Sequence, residues 1–340
     1  MGDLKFQTEV QLPDFRWKTG YRKKNVFMGS CFTENVGQRL ENANFQVDIN
    51  PFGILYNPES VANGLDILLN NKIFSESDLV EHNGLWHSFS HHGKFSAADS
   101  DEVLSRINER ISTSSAFLKT ADFLFITFGT AWVYRHCESK HVVSNCHKIP
   151  AREFVRERLS VEQIVDRYKK LLSLIWAVNP ELRVVFTVSP IRHWKDGAIE
   201  NQRSKATLLL AVDQLQQEFK SRCAYFPSYE IVMDELRDYR FYAADMLHMS
   251  EVAVDYIYDK FQQALVEEES KKIAEKVLKI RSAVQHKPFN TNTEVFVKFL
   301  EQSLQKTLDL EKQFPYLNLK LEKNYFIRHL EHLGKGYLDK

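Results

Sequence analysis

Five short runs rich in apolar, β-branched and aromatic side chains punctuate the first 270 residues. They cover 25–28, 45–49, 123–128, 184–188 and 224–232, the last interrupted by Pro227. Between most of them the hydrophobic period changes to that of an amphipathic helix. Residues 33–40 form one such stretch. Residues 58–69 form another, with Val61, Leu65, Leu68 and Leu69 on one face, and 160–178 and 205–219 are longer. Nearly continuous apolar strands alternating with helices predict a mostly parallel five-stranded sheet covered on both faces. From about Glu267 the pattern becomes helical and charged, through 267–282 and 293–312, before a tail rich in Leu, Tyr and His. The expected organisation is an α/β domain over 1–265 and a helical C-terminal extension over 266–340.

Composition narrows the class. The chain has 340 residues with 45 basic and 45 acidic side chains. Zero net charge removes the basic excess from which a general nucleic-acid binder draws its attraction, so no nucleic-acid partner is expected. Twelve glycines and nine prolines argue against disorder or a linker-rich design. The longest unbroken apolar run, 174–178, falls far short of the roughly 20 residues of a membrane span. The first 25 residues lack an apolar secretory core. Cys31, Cys137, Cys146 and Cys223 form no CxxC pair and read as reduced thiols of a cytoplasmic protein. The extension stands apart electrostatically, with 14 Lys and Arg against 8 Asp and Glu over 271–340, as expected of a solvated helical hairpin.

In open parallel sheets, ligands bind beyond the carboxyl ends of the strands. After the first run stand Gly29, Ser30 and Cys31, then a helix. Gly29 allows a tight turn, and Ser30 at a helix start faces backbone N–H groups suited to a developing negative charge. A serine in that place is ordinarily an N-cap, and Cys31 is a rival nucleophile. After the last run come Asp245 and His248, three residues apart. A carboxylate there can accept the imidazole Nδ1–H, leaving Nε2 to take a proton from a hydroxyl. Together, Ser30, Asp245 and His248 supply the three roles of an activated nucleophile.

Several blocks resemble one family. Gly29-Ser30-Cys31-Phe32-Thr33 is similar to the signature that names the GSCFA family, with Thr33 in place of its alanine. Asn50-Pro51-Phe52-Gly53, Phe128-Gly129-Thr130-Ala131-Trp132, Asn145-Cys146-His147-Lys148, the stretch from Thr187 to His193 and Asp238-Tyr239-Arg240-Phe241-Tyr242 continue the likeness, from about Lys24 to Gln262. GSCFA proteins are in turn similar to SGNH (GDSL-like) hydrolases. That resemblance implies a three-layer α/β/α sandwich and ester hydrolysis or acyl transfer, with Ser30 as nucleophile, His248 as base and Asp245 as its orienting carboxylate. It also implies an oxyanion hole built from the N–H groups of Ser30 and Gly53. Where SGNH enzymes place an asparagine after the third strand, this chain has Gly129 and Thr130. Asn145 is the expected substitute donor, with Thr130 behind it. The expected substrate is a small-molecule ester, such as an acylated carbohydrate, handled without metal or cofactor.

Other polar residues are assigned around this centre. Trp86, His87, Trp132 and His147 are candidates to line a polar pocket, although aromatic residues of this kind suit a core equally. Arg192 and His193 follow the fourth strand, where an arginine can bind a carboxylate or phosphate or can pair with Glu235 or Asp238. Histidines 82, 87, 91 and 92, and the group His136, Cys137, His141, Cys146 and His147, match no common zinc spacing. Two further readings stay open: a binding protein that keeps the fold without turnover, and a metal hydrolase using the histidine groups.

Overall fold

The computed structural model describes residues 7–286, 288–290 and 293–334. Along the chain, β1 (Lys24–Gly29) leads into α1 (Cys31–Asn42), β2 (Gln46–Ile49) and α2 (Pro58–Asn70). A hairpin of β3 (Val80–His82) and β4 (Leu85–His87) precedes α3 (Ser100–Leu118) and β5 (Phe123–Phe128). Then come β6 (Trp132–His136), β7 (Val142–Val143), β8 (Phe154–Arg158), α4 (Val161–Val178), β9 (Arg183–Val188), α5 (Gly197–Glu218) and β10 (Cys223–Tyr225). One helical turn, α6 (Ser228–Glu230), widens into a π turn over Ile231–Glu235. The helices α7 (Glu251–Leu265), α8 (Glu268–Gln285), α9 (Glu294–Gln313) and α10 (Lys320–His332) follow.

The central sheet has the order β10-β9-β5-β1-β2, and every pairing in it is parallel. The connection after β1 goes to one side and the connections after β5 go to the other. The carboxyl ends of β1 and β5 therefore flank the point where the winding reverses, which is where open sheets of this order form a crevice. Side chains alternate between two cores, as the strand period requires. Val26, Met28, Leu124, Ile126, Phe128, Val184 and Phe186 enter one, shared with α2, α3, α4 and α5. Phe27, Phe123, Phe125 and Val185 enter the other, shared with α1 and α7. The C-terminal helices close the second core through Ile273, Val277, Leu300, Leu304, Phe326 and Leu330. The result is the three-layer sandwich with a helical C-terminal region.

Local chemistry sets the ends of these elements. Ser160 and Gln163 form a reciprocal capping box at the head of α4, at 3.2 and 2.8 Å. Asp99 caps α3, whose buried Val103, Ile107, Ile111 and Leu118 recur at helical spacing. The fifth apolar run behaves differently from its expectation. Only Cys223–Tyr225 pairs as a strand. Pro227 carries no N–H for the ladder, so Ile231 and Val232 reach the core from the turns that follow.

The turn after β1 is the tightest point of the sheet. Gly29 has φ = 140°, and a Cβ placed on it would stand 2.2 Å from the Thr127 carbonyl oxygen of β5. No side chain fits there, and the conformation itself disfavours one. Gly29→Ala is expected to destabilise the fold by at least ~2 kcal/mol, because backbone rather than a flexible side chain must give way. Urea denaturation of the variant beside the parent protein measures this, and equal midpoints would contradict it.

Candidate active site

Ser30 follows that glycine as the N-cap residue of α1, yet its side chain makes no capping hydrogen bond. It is 1% exposed, and its Oγ is buried with no hydrogen-bond partner among the described residues. The bland reading of this serine, a hydroxyl that caps the helix, does not hold here. An unpaired buried hydroxyl forgoes about 1–3 kcal/mol, a cost borne here by the hydroxyls of Thr33, Ser60 and Ser115 as well. Cys31 beside it is half-buried, and burial raises its thiol pKa. The sulfur therefore stays protonated and is the weaker candidate nucleophile.

Asp245 and His248 lie on an exposed hairpin that ends at the head of α7. The Tyr242–Met249 bridge and the bond from the Ala243 N–H to the His248 carbonyl (2.7 Å) close it. His248 Nδ1 stands 2.6 Å from Asp245 Oδ2, while Asp245 Oδ1 accepts the N–H groups of Leu247 and His248, each at 2.9 Å. The hydrogen bond from the His248 ring, followed by these two backbone bonds, holds the Asp245 carboxyl at about 2. It is ionised at any ordinary pH, so Nδ1 carries the proton and Nε2 is the free basic nitrogen. The His248 side chain is 58% exposed. No hydrogen bond joins its ring to Ser30. Helices α1 and α7 run side by side, and Arg39 of α1 pairs with Glu251 and Asp255 of α7 at 3.0 and 2.7 Å. Asp245 of the hairpin shares a cavity wall with Arg192, just beyond β9, which puts the hairpin toward the carboxyl-end side of the sheet.

The crest of the sheet beside Ser30 is built from the ends of β5 and β9. The Tyr56 carbonyl accepts the N–H groups of Gly129 and Thr130 at 2.7 and 3.0 Å. The Leu55 N–H donates to the Gly29 carbonyl at 2.9 Å, which lays this segment along the turn that carries Ser30. His193 packs edge-on to Tyr56, with ring centroids 5.2 Å apart, and its Nε2 lies close over Gly129. Burial lowers the His193 pKa to about 4, helped by the positive charges of Lys205 and Arg156 and opposed by Asp196. Beneath them Lys205 of α5 is 0% exposed, and its Nζ donates to the carbonyls of Gly129 and Ser189 at 2.6 and 2.5 Å. Burial pulls its pKa down to about 7. Sequence reading missed this lysine because it sits inside an ordinary amphipathic helix. Its only signal was a charged residue on the face that carries Ser204, Leu208, Ala211 and Val212.

A sequence model defines the relationship. The model described as "GSCFA family" matches residues 24–261. The chain belongs to the GSCFA family. A second model, "GSCFA domain protein, C-terminal domain", matches residues 277–332, covering the second half of α8 and all of α9 and α10. None of the curated proteins matches the chain.

Several sites expected of this GSCFA chain are differently placed. The Gly53 N–H is taken by the Asn50 carbonyl at 2.8 Å and the Ser30 N–H by the Thr127 carbonyl at 3.2 Å. Thr130 Oγ1 turns inward to Ser204 Oγ at 3.1 Å and accepts the Trp132 N–H, so it is not a donor at the crest. Asn145 Oδ1 accepts the His147 N–H, within a loop held to Phe89 rather than to Ser30. His87 and His147 stack at 4.4 Å, and their ring nitrogens are occupied by Ser96, the His82 carbonyl and the Ser88 carbonyl. They hold the β3–β4 hairpin rather than lining a pocket. Trp86 packs against the first core, and Trp132 lies under the Arg156 guanidinium, 4.4 Å from its ring centroid. Among the described residues no three His, Cys, Asp or Glu side chains gather in a form that could hold a metal ion. A cavity of about 680 Å³ adjoins the dyad, and Arg192 and Asp245 both line it.

Three histidines of the GSCFA domain are kept neutral by burial. Against an ordinary 6.5, His91 falls to about 3, and His147 and His193 to about 4. Between those values the unfolded chain holds protons that the folded chain lacks, so stability falls as pH drops from about 6.5 toward 4. Urea titrations at pH 7, 6 and 5 are expected to show that loss, with a shallower slope for His147→Gln. A profile flat over this range would contradict the assignment.

Proposed function

We propose that this GSCFA protein is an acyl hydrolase of SGNH type, working on an ester through Ser30, His248 and Asp245. The observation that carries the reading is a helix-heading serine whose hydroxyl neither caps nor bonds, with a preformed Asp–His dyad toward the same carboxyl-end side of the sheet. In this mechanism the hairpin bearing His248 closes on the crest and the Ser30 hydroxyl turns toward Nε2. Catalytic hydrogen bonds are commonly long or unmade before substrate enters. His248 removes the hydroxyl proton as Oγ attacks the ester carbonyl. It then returns that proton to the departing alcohol oxygen, and Asp245 stabilises the imidazolium between the two steps.

The negative charge that develops on the carbonyl oxygen needs donors. The amino end of α1, whose aligned peptide dipoles favour an anion, is the group assigned to that task in this reading. Water then repeats the sequence to release the acid. Transfer of the acyl group to another hydroxyl would use the same parts, with the acceptor entering where water does.

A fluorophosphonate probe reacts with activated serines and tests the reading directly. Wild type is expected to be labelled and Ser30→Ala is not. His248→Ala is expected to slow turnover of short aryl esters by at least ~10²-fold, the scale of a lost general base. Absence of labelling on wild type would instead support a binding protein on this fold, and undiminished turnover in His248→Ala would defeat the triad.

A further inference from the structure

The cavity beside the dyad carries a charge that the protein leaves unanswered. Arg192, just beyond β9, is half-buried, and among the described residues its only polar contact is with Met233 Sδ at 3.6 Å. The two carboxylates nearest to it in sequence logic are engaged elsewhere. Glu235 is buried among the Val10 N–H, Tyr256 and Lys260, with Tyr256 Oη at 2.5 Å and Lys260 Nζ at 3.4 Å. Asp238 accepts the Arg240 N–H at 2.9 Å. Of the other charged groups on the wall, Arg237 pairs with Asp234 at 3.0 Å and Asp245 holds His248. Lys205 adds to the imbalance. It lies within electrostatic reach of Arg192, and its bonds go only to carbonyls. Arg192 and Arg237 share the cavity wall with Asp238 and Asp245, and of these Arg192 is the cation with no carboxylate partner among the described residues. A guanidinium withdrawn from water without a counter-ion is costly to hold unless a ligand supplies one.

We propose that this cavity binds a carboxylate on the substrate, with Arg192 as its counter-ion, so that the ester turned over is an acidic one. The proposal rests on the reading of Ser30 and His248 as the reacting pair. The planar fork of an arginine matches the two oxygens of a carboxylate. Asp238 and Asp245 on the same wall disfavour a doubly charged phosphate more than a singly charged carboxylate, because like charges repel. Trp194, Tyr239 and Tyr242 line the remainder and offer aromatic faces to the sugar ring or acyl chain that bears the acid.

Binding and turnover test this separately. In full-length Ser30→Ala protein, tryptophan fluorescence, to which Trp194 contributes from the cavity wall, is titrated with monobutyl succinate, monobutyl phosphate and the neutral butyl butyrate. Monobutyl succinate is expected to bind at least ~10-fold more tightly than the neutral ester, with a preference that fades at high salt and is lost in Arg192→Met. Arg192→Lys, which keeps the charge without the fork, is expected to recover part of it. With otherwise wild-type enzyme, the ratio of kcat/KM for 4-nitrophenyl hydrogen succinate to that for 4-nitrophenyl butyrate is expected to fall at least ~10-fold in Arg192→Met. Equal binding of charged and neutral ligands, tighter binding of the phosphate, or an unchanged preference in Arg192→Met overturns the proposal. Charge-selective binding lost in Arg192→Met, with neither ester turned over by wild type, upholds the anion site and removes the hydrolase reading. Turnover through Ser30 without charge selectivity does the reverse.

Discussion

The close approach of β1 to β5 at their carboxyl ends governs this molecule. Two backbones meet where Gly29 passes the Thr127 carbonyl, and no Cβ can stand between them. From that contact the chain can only turn sharply into α1, and the turn leaves Ser30 at the crest of the sheet. The same stretch is buttressed from both sides. Asn50 Oδ1 accepts the Gly29 N–H at 3.0 Å, and the Gly29 carbonyl accepts Leu55. A reversal in the winding order supplies the crevice, and a backbone constraint decides which residue heads it.

Lys205 makes a second tie across that crest. A buried ammonium bridging the last carbonyls of β5 and β9 takes the place that a water or a side-chain amide would otherwise fill. Each of those carbonyls lies past the end of its ladder, where orphaned acceptors need a donor. The lysine answers both, and in doing so it brings a positive charge under the site without exposing it. The ends of three adjacent strands, β1, β5 and β9, are in this way fixed relative to one another by groups that lie below the surface they present.

The central sheet was legible in the chain because buried parallel strands read as unbroken apolar runs, and 123–128 coincides with β5. Glycine, serine and the Asp–His spacing marked the crest residues for the same reason: turn chemistry is local. What escaped was either weakly patterned or non-local. Helix α3 carries Val103, Ile107 and Ile111 at helical spacing, but its serines and charges dilute the signal. The β3–β4 hairpin was announced by Asn83 and Gly84, both with positive φ, a strong two-residue turn signal that the reading passed over. Helix α10 lies in the stretch legible only as a Leu-, Tyr- and His-rich tail of the helical extension, because its amphipathic face is completed only by the core it closes. Of the expected oxyanion donors, the N–H groups of Ser30 and Gly53 and the Thr130 hydroxyl already have partners within the fold, which a sequence does not reveal. Arg192 was left between two roles, and only the partners of Glu235 and Asp238 separate them.

The Asp–His pair has a further property. Its carboxylate, its ring and the two backbone donors that orient them all come from residues 245–248, and the hairpin that holds them is closed by neighbours on the same short loop. The unit therefore carries its own internal geometry wherever it goes. A swing of the loop changes how far the imidazole stands from the sheet while the Asp245 carboxylate keeps its Nδ1 tautomer. Reach and internal geometry are separable in this unit, so sequence drift in the loop stems can retune its distance from the sheet while leaving the Asp245–His248 pair intact.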